Sequence, residues 1–222
     1  MPLTLPQMVM VLSEPQSLSD LKRYFLGIGG AAYTGGQFEI FGGGGDRPEA
    51  ADSITVEDLI AVQLLSVRVP PQRILDLLDG QLGRRLEVEL ARIAVDVELD
   101  SEEALPLIKP GGHAAEAWRV LRQAGIGPVT SGKLLARKRP KLVPVYDSVV
   151  ACALGTGARF WEWLHGRLRE ENSLLPRRLR ELHERAELPV QVSPIRVLDV
   201  VLWIRHRDSH LRRGCPGLDL PS

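Results

Sequence analysis

The chain has 222 residues, with 28 basic and 28 acidic side chains, five histidines, zero net charge and a pI near 7. That length can bury a sizeable core as one domain or two small lobes. Zero net charge removes any global field drawing the protein to nucleic acid or membrane, and two cysteines, Cys152 and Cys215, exclude a four-cysteine cluster or zinc site supplied by this chain.

The first residues, MPLTLPQMVMVL, lack a basic leading segment, and their apolar run is broken by Pro6, so no signal peptide is read. No stretch reaches the roughly 18 to 20 apolar residues of a membrane span. The expectation is a cytoplasmic protein with no membrane partner.

Residues 1–16 carry Pro2, Pro6 and Pro15 and are expected to form a loose arm. Ser17 or Ser19 is placed to cap a short helix through Leu26, ended by Gly27, Gly29 and Gly30. Tyr33 to Phe41 is short and aromatic, enough for one helical turn. In the run Gly42 to Gly45, a phosphate-cradling loop would need a strand before it and Lys-Ser/Thr after it. Asp46, Arg47 and Pro48 follow instead, so a mobile surface loop is expected.

Thr55 with Asp58 resembles a capping box and opens a helix through Leu59, Ile60, Val62, Leu64 and Leu65. Pro70-Pro71 break the chain and start another helix through Leu78. Gly80 and Gly83 separate it from a helix over residues 86–95. Residues 96–112 are irregular and are expected as a boundary between lobes. Further helices are predicted over 113–123, from Asp147 to Leu154, and over 160–168, 174–186 and 194–204. Residues 205–222 are expected to fray. Leu142 to Tyr146 is the one convincing extended piece, and Pro144 argues against a central strand. The fold class is all-α.

The stretch from Leu121 to Val150 carries the chemistry. Gly125 and Gly127 flank Ile126 between two helical patterns. The glycines permit a restricted turn and leave no side chain in the way of a ligand. Pro128 suits the first turn of the next helix, whose free amides and dipole can hold a phosphate. The competing reading is a plain helix–turn–helix corner with a glycine cap. Seven basic residues and no acid lie between Arg119 and Lys141, which leaves the rest of the chain acidic and suggests a local basic face for an anionic ligand. Asp147 stands twenty-two residues after Gly125. An aspartate before a helix is also an ordinary N-cap.

Gly125-Ile126-Gly127, Thr130, Ser131, Leu134-Leu135 and Val143-Pro144-Val145-Tyr146-Asp147 resemble the helix-hairpin-helix superfamily of base-excision DNA glycosylases. The resemblance covers about thirty residues closely. TGGQFEIFGGGGD and SITVEDLIAVQLLSV, in the N-terminal half, resemble an uncharacterised bacterial family. The superfamily implies a hairpin that grips a backbone phosphate without reading sequence, and an aspartate near C1′ of a flipped-out nucleotide. Carried over, Asp147 is catalytic, and Gly125, Ile126, Gly127, Thr130, Lys133, Arg137, Lys138 and Arg139 bind nucleic acid. Bifunctional members carry a Schiff-base lysine where Val129 stands here, so lyase chemistry by that route is not expected. An arginine of some members is Cys152 here.

The chain then divides into an arm (1–16), an N-terminal helical region (17–112), a helix-hairpin-helix region with C-terminal helices (113–206) and a flexible tail (207–222). Tyr146 and Tyr33 are candidates to stack on an extruded base, and Glu39 is a candidate pocket acid. Asp199, inside an apolar helix, is expected to be paired with a basic neighbour. His206 and His210 are four apart but fall in the expected tail, so no metal is assigned. No cofactor is expected, although a monovalent cation on hairpin carbonyls is compatible with the resemblance. The leading expectation is a monofunctional N-glycosylase on double-stranded DNA. The alternatives are an N-glycosidase on a free nucleoside or nucleotide, and a non-catalytic nucleic-acid-binding module.

Overall fold

The computed structural model describes residues 2–157, 159–211 and 214–218. Among them are twelve α-helices, three short 3-10 segments and no strand. The helices are α1 (Leu5–Ser13), α2 (Pro15–Leu26), α3 (Val56–Leu64), α4 (Pro71–Leu78), α5 (Gln81–Leu90), α6 (Ala104–Ile108), α7 (His113–Gln123), α8 (Pro128–Lys138), α9 (Ser148–Leu154), α10 (Phe160–Arg169), α11 (Leu174–Arg185) and α12 (Pro194–His206). The all-α expectation holds, and no described helix is long and apolar enough to cross a membrane. The chain forms two units, one of residues 1–33 with 146–222 and one of residues 34–145. Residues 96–112, expected as a boundary, lie inside the second unit and include α6.

In the first unit the expected loose arm is a helix. Thr4 and Gln7 form a reciprocal capping box, and a proline occupies the first turn, where its missing N–H costs nothing. Leu5, Met8, Val11 and Leu12 of α1 are buried. α12 is the hub and packs against α2, α9 and α11. Ile195 through Leu202 are all buried, so two charged residues within that run need partners. Arg196 and Asp199 pair with one another, and Arg196 also donates to the Tyr24 hydroxyl at 3.0 Å. The expected pairing of Asp199 is thus present. At its far end α12 is tied to α2 by Arg205, which reaches Asp20 at 2.7 Å and Glu14 at 2.8 Å.

In the second unit α8 packs against α3 and α7, while α5 packs against α4 and α7. Thr55 and Asp58 cap α3 as expected. The helix predicted over 86–95 begins earlier, at Gln81, and ends at Leu90. Gly83 lies within it, because a Cβ there would stand 2.2 Å from the Leu77 carbonyl oxygen. The glycine permits the close approach of α5 to α4.

The basic run at the end of α8 is internal. Arg137, Lys138 and Arg139 are 2, 0 and 1 % exposed, which overturns the expectation of a basic outer face. Arg137 donates to Asp58 at 3.0 Å, to the Glu39 carbonyl at 2.7 Å, and to the carbonyls of Phe38 and Phe41. Lys138 bonds the carbonyls of Gly45 and Ala50, both at 2.9 Å, and pairs with Asp58. Burial pulls its ammonium below the ordinary lysine range against the opposing pull of Asp58. Arg139 donates to the carbonyls of Ala51, Leu90 and Ile93 and to Asp52. Buried charge is tolerated only where charge-assisted hydrogen bonds replace water, and carbonyl oxygens supply most of them here.

The glycine run, expected to be mobile, is therefore pinned to α8. A Cβ on Gly45 would stand 2.3 Å from the Arg137 carbonyl oxygen, so only glycine lets the loop approach that closely. Asp58→Asn is expected to lower unfolding stability by about 3–5 kcal/mol, because it strands two buried cations. Thr55→Ala, which removes only the cap side chain, is expected to cost about 1 kcal/mol. Urea unfolding of both variants checks this, and equal losses would contradict a special role for the ion cluster.

Candidate nucleic-acid site

The hairpin is built by one left-handed residue. α7 ends at Gln123, and Gly125 takes φ +82°, where a side chain is strained. The Gly125 amide donates to Arg122 O at 3.0 Å and the Ile126 amide to Leu121 O at 3.2 Å, which closes the helix end. Ile126 is fully buried and anchors the turn in the core. Gly127 is the N-cap of α8, with Pro128 in its first turn, and the Ser131 amide donates to Gly127 O at 2.9 Å.

Outward, the turn is open. Gly125, Gly127 and Pro128 are exposed, and nothing lies within 4 Å of where a Cβ on Gly125 or Gly127 would stand. Thr130 and Ser131 face inward, at 9 % and 0 % exposure. The Ile126 carbonyl accepts from Arg122 Nη1 at 2.7 Å and Ser131 Oγ at 3.3 Å.

Of the expected nucleic-acid ligands, the basic ones are spent elsewhere. Lys133 is 4 % exposed and donates to Leu65 O at 2.9 Å, and Arg137, Lys138 and Arg139 hold the interior described above. Two other arginines, missed in the sequence, lie near the turn. Arg73 and Arg85 line a cleft of about 430 Å³ together with Asp76, Gln123 and Ala124, the last two at the end of α7. Arg73 pairs with Asp76 at 3.5 Å, and Arg85 is exposed. Neither belongs to a charge run, which is why composition along the chain did not reveal them.

Asp147 lies in the unit of residues 1–33 and 146–222, and the hairpin lies in the other. Asp147 Oδ1 accepts from the Val149 and Val150 amides at 3.0 and 3.1 Å and so caps α9. Tyr146 stacks on Phe160 with ring centroids 3.9 Å apart, and its hydroxyl meets Thr156 O at 3.1 Å. Burial pushes that hydroxyl above its ordinary range. Tyr33 stacks on Tyr24 at 5.1 Å, edge-on to Trp203 at 5.8 Å, with the Arg23 and Arg207 guanidinium groups near its ring. Both candidate stacking rings therefore already have aromatic neighbours. Glu39 is buried in the other unit. A grouping that sequence reasoning left unused, Cys152, His206, His210 and Cys215, converges beside α9 and the end of α12.

The capping geometry separates two substitutions at Asp147. Asparagine caps nearly as well as aspartate, so Asp147→Asn is expected to keep thermal stability within a few tenths of a kcal/mol, whereas Asp147→Ala loses about 1 kcal/mol. Calorimetry of the two variants checks it.

No curated protein and no solved structure matches the chain. A family model does match, over residues 17–206, which include the pinned glycine loop, the hairpin, Asp147 and most of the helices of both units. The chain belongs to that family, the family of unknown function DUF6308.

Proposed function

We propose that the chain binds duplex DNA through the Gly125–Gly127 turn and acts as a monofunctional N-glycosylase with Asp147 as its carboxylate. The observation that supports the reading is the open outer face of the turn, where nothing stands within 4 Å of a Cβ position on Gly125 or Gly127 and a phosphate can approach the start of α8. Arg73 and Arg85 supply positive charge at the cleft beside the end of α7. The assignment of Asp147 rests on its resemblance to the glycosylase aspartate, and two amide donors hold its carboxylate in one orientation.

In the proposed reaction the bond between C1′ and the base nitrogen breaks, and the base leaves with a proton. Asp147 stabilises the positive charge that develops at C1′, and the oxygen of a water molecule then bonds to C1′ as that water gives up one proton, which balances the proton carried off by the base. Val129, where bifunctional members of the superfamily it resembles carry a lysine, leaves no amine at that position for a lyase step. A second reading, N-glycosidic cleavage of a free nucleotide, is favoured by one feature. The Arg73–Arg85 cleft has a volume within the range of small-molecule sites, roughly 300–1,000 Å³.

Few cations remain on the surface of the hairpin, so DNA affinity is expected to depend weakly on salt. The slope of log K against log salt should be about −2, from two arginine–phosphate contacts, and Arg85→Ala should reduce it by about 1. Fluorescence anisotropy with an intact duplex and one carrying an abasic-site analogue measures this. Gly127→Phe is expected to stay folded, since φ −58° suits any side chain and nothing stands in its way. It should lose binding at least tenfold, about 1.4 kcal/mol. Asp147→Asn should keep binding and lose base release. Binding without release in the wild type leaves a non-catalytic module. No binding to either duplex at low salt refutes the DNA reading, and nucleotide titration into the same protein then tests the cleft.

A further inference from the structure

The ligand atoms of Cys152, His206, His210 and Cys215 all lie within 4.8 Å of one another, and all four residues belong to one unit. Cys152 projects from α9, His206 closes α12, and His210 and Cys215 follow in the segment after it. We propose that these four side chains form a structural zinc site that fastens the C-terminal segment to α9. The inference is independent of the reading of the hairpin and Asp147.

The donor set is the first argument. Two thiols and two imidazoles suit Zn²⁺, which binds tetrahedrally to Cys₂His₂ sets, with Zn–S about 2.3 Å and Zn–N about 2.0 Å. Those bond lengths place neighbouring donors about 3.5 Å apart. Cys215 Sγ and His206 Nε2 are 3.4 Å apart. The other pairs need to contract by no more than about 1.3 Å on binding.

Surrounding groups already orient the donors. His206 is fully buried, with Nε2 toward Cys215 and Nδ1 3.4 Å from Ser209 Oγ. A partner on the far nitrogen is what sets the tautomer of a metal-bound histidine. Nδ1 of His210 is closed to solvent and has no hydrogen-bond partner among the described residues, a cost that a metal ion would remove. With four protein ligands no coordination position is left for substrate, so the proposed ion is structural and takes no part in bond cleavage.

The test uses the full chain without a histidine tag, purified under reducing conditions. Zinc is measured by mass spectrometry after dialysis, and Co²⁺ is titrated into chelator-treated protein. One equivalent of zinc per chain is expected. Co²⁺ should give the intense visible bands of a tetrahedral ion and a thiolate charge-transfer band. Chelation should lower Tm by at least about 5 °C. Cys215→Ser and Cys152→Ser, in half-buried positions, are expected to stay folded, lose the charge-transfer intensity in steps and lower zinc occupancy at least tenfold. Less than a tenth of an equivalent of zinc in reduced wild-type protein supplied with excess zinc, an octahedral Co²⁺ spectrum, or stoichiometric binding unchanged in the double serine variant would each overturn the proposal. Recovery of a Cys152–Cys215 disulfide that persists under reducing conditions would overturn it too.

Discussion

Asp58, in the first turn of α3, sits between two buried cations from the end of α8, and the second unit depends on that arrangement. Its two carboxylate oxygens face Arg137 and Lys138, while those side chains and Arg139 bond carbonyls from Phe38 to Ala51 and at Leu90 and Ile93. A glycine-rich loop has too little side chain to bury and cannot hold itself down by hydrophobic contact. Here it is held by its own carbonyl oxygens, which need donors once they leave water. Three long basic side chains from one helix end supply those donors, and glycine at position 45 lets the backbones come close enough to use them.

This arrangement explains why the sequence misled where it did. A run of Arg-Lys-Arg has the same composition whether it faces a phosphate or a set of carbonyls. The carbonyls that decide the matter lie nearly one hundred residues earlier, in a loop with no periodicity to read. Where the signal was local, the reading succeeded. The Thr55–Asp58 capping box, the helices over 113–123 and 148–154 and the buried pairing of Asp199 rest on short-range chemistry. The Thr4–Gln7 box is equally local, but three prolines obscured it, although proline opens a helix as readily as it breaks one. Residues 212–213 and 219–222, in the expected tail, lie outside the described residues.

The Cys and His grouping was legible in part. His206, His210 and Cys215 fall within ten residues, a spacing that suits a metal, but Cys152 stands fifty-four residues before His206. Only the packing of α9 against α12 brings the fourth donor to the other three. Four well-chosen ligands in one place are a tertiary property, whereas a four-cysteine motif would have shown itself in the chain. Within the segment after α12, Cys215 meets His206 at 3.4 Å.

The consequence for ligand binding follows from what remains outside. Of the seven basic residues between Arg119 and Lys141, four are buried, Arg119 is paired with Glu116, and Arg122 is engaged with the Ile126 carbonyl. The hairpin therefore offers an anion chiefly backbone dipoles, fixed in direction and little affected by counterions, instead of a flexible field of lysines. Amide donors of that kind select for the geometry of a phosphate at short range and do little to attract a polyanion from a distance. In the proposed reading, a protein with zero net charge and such a turn holds a phosphate that has already been delivered. Outside the basic run, Arg85 is exposed at the cleft beside the end of α7, where Arg73 is paired with Asp76.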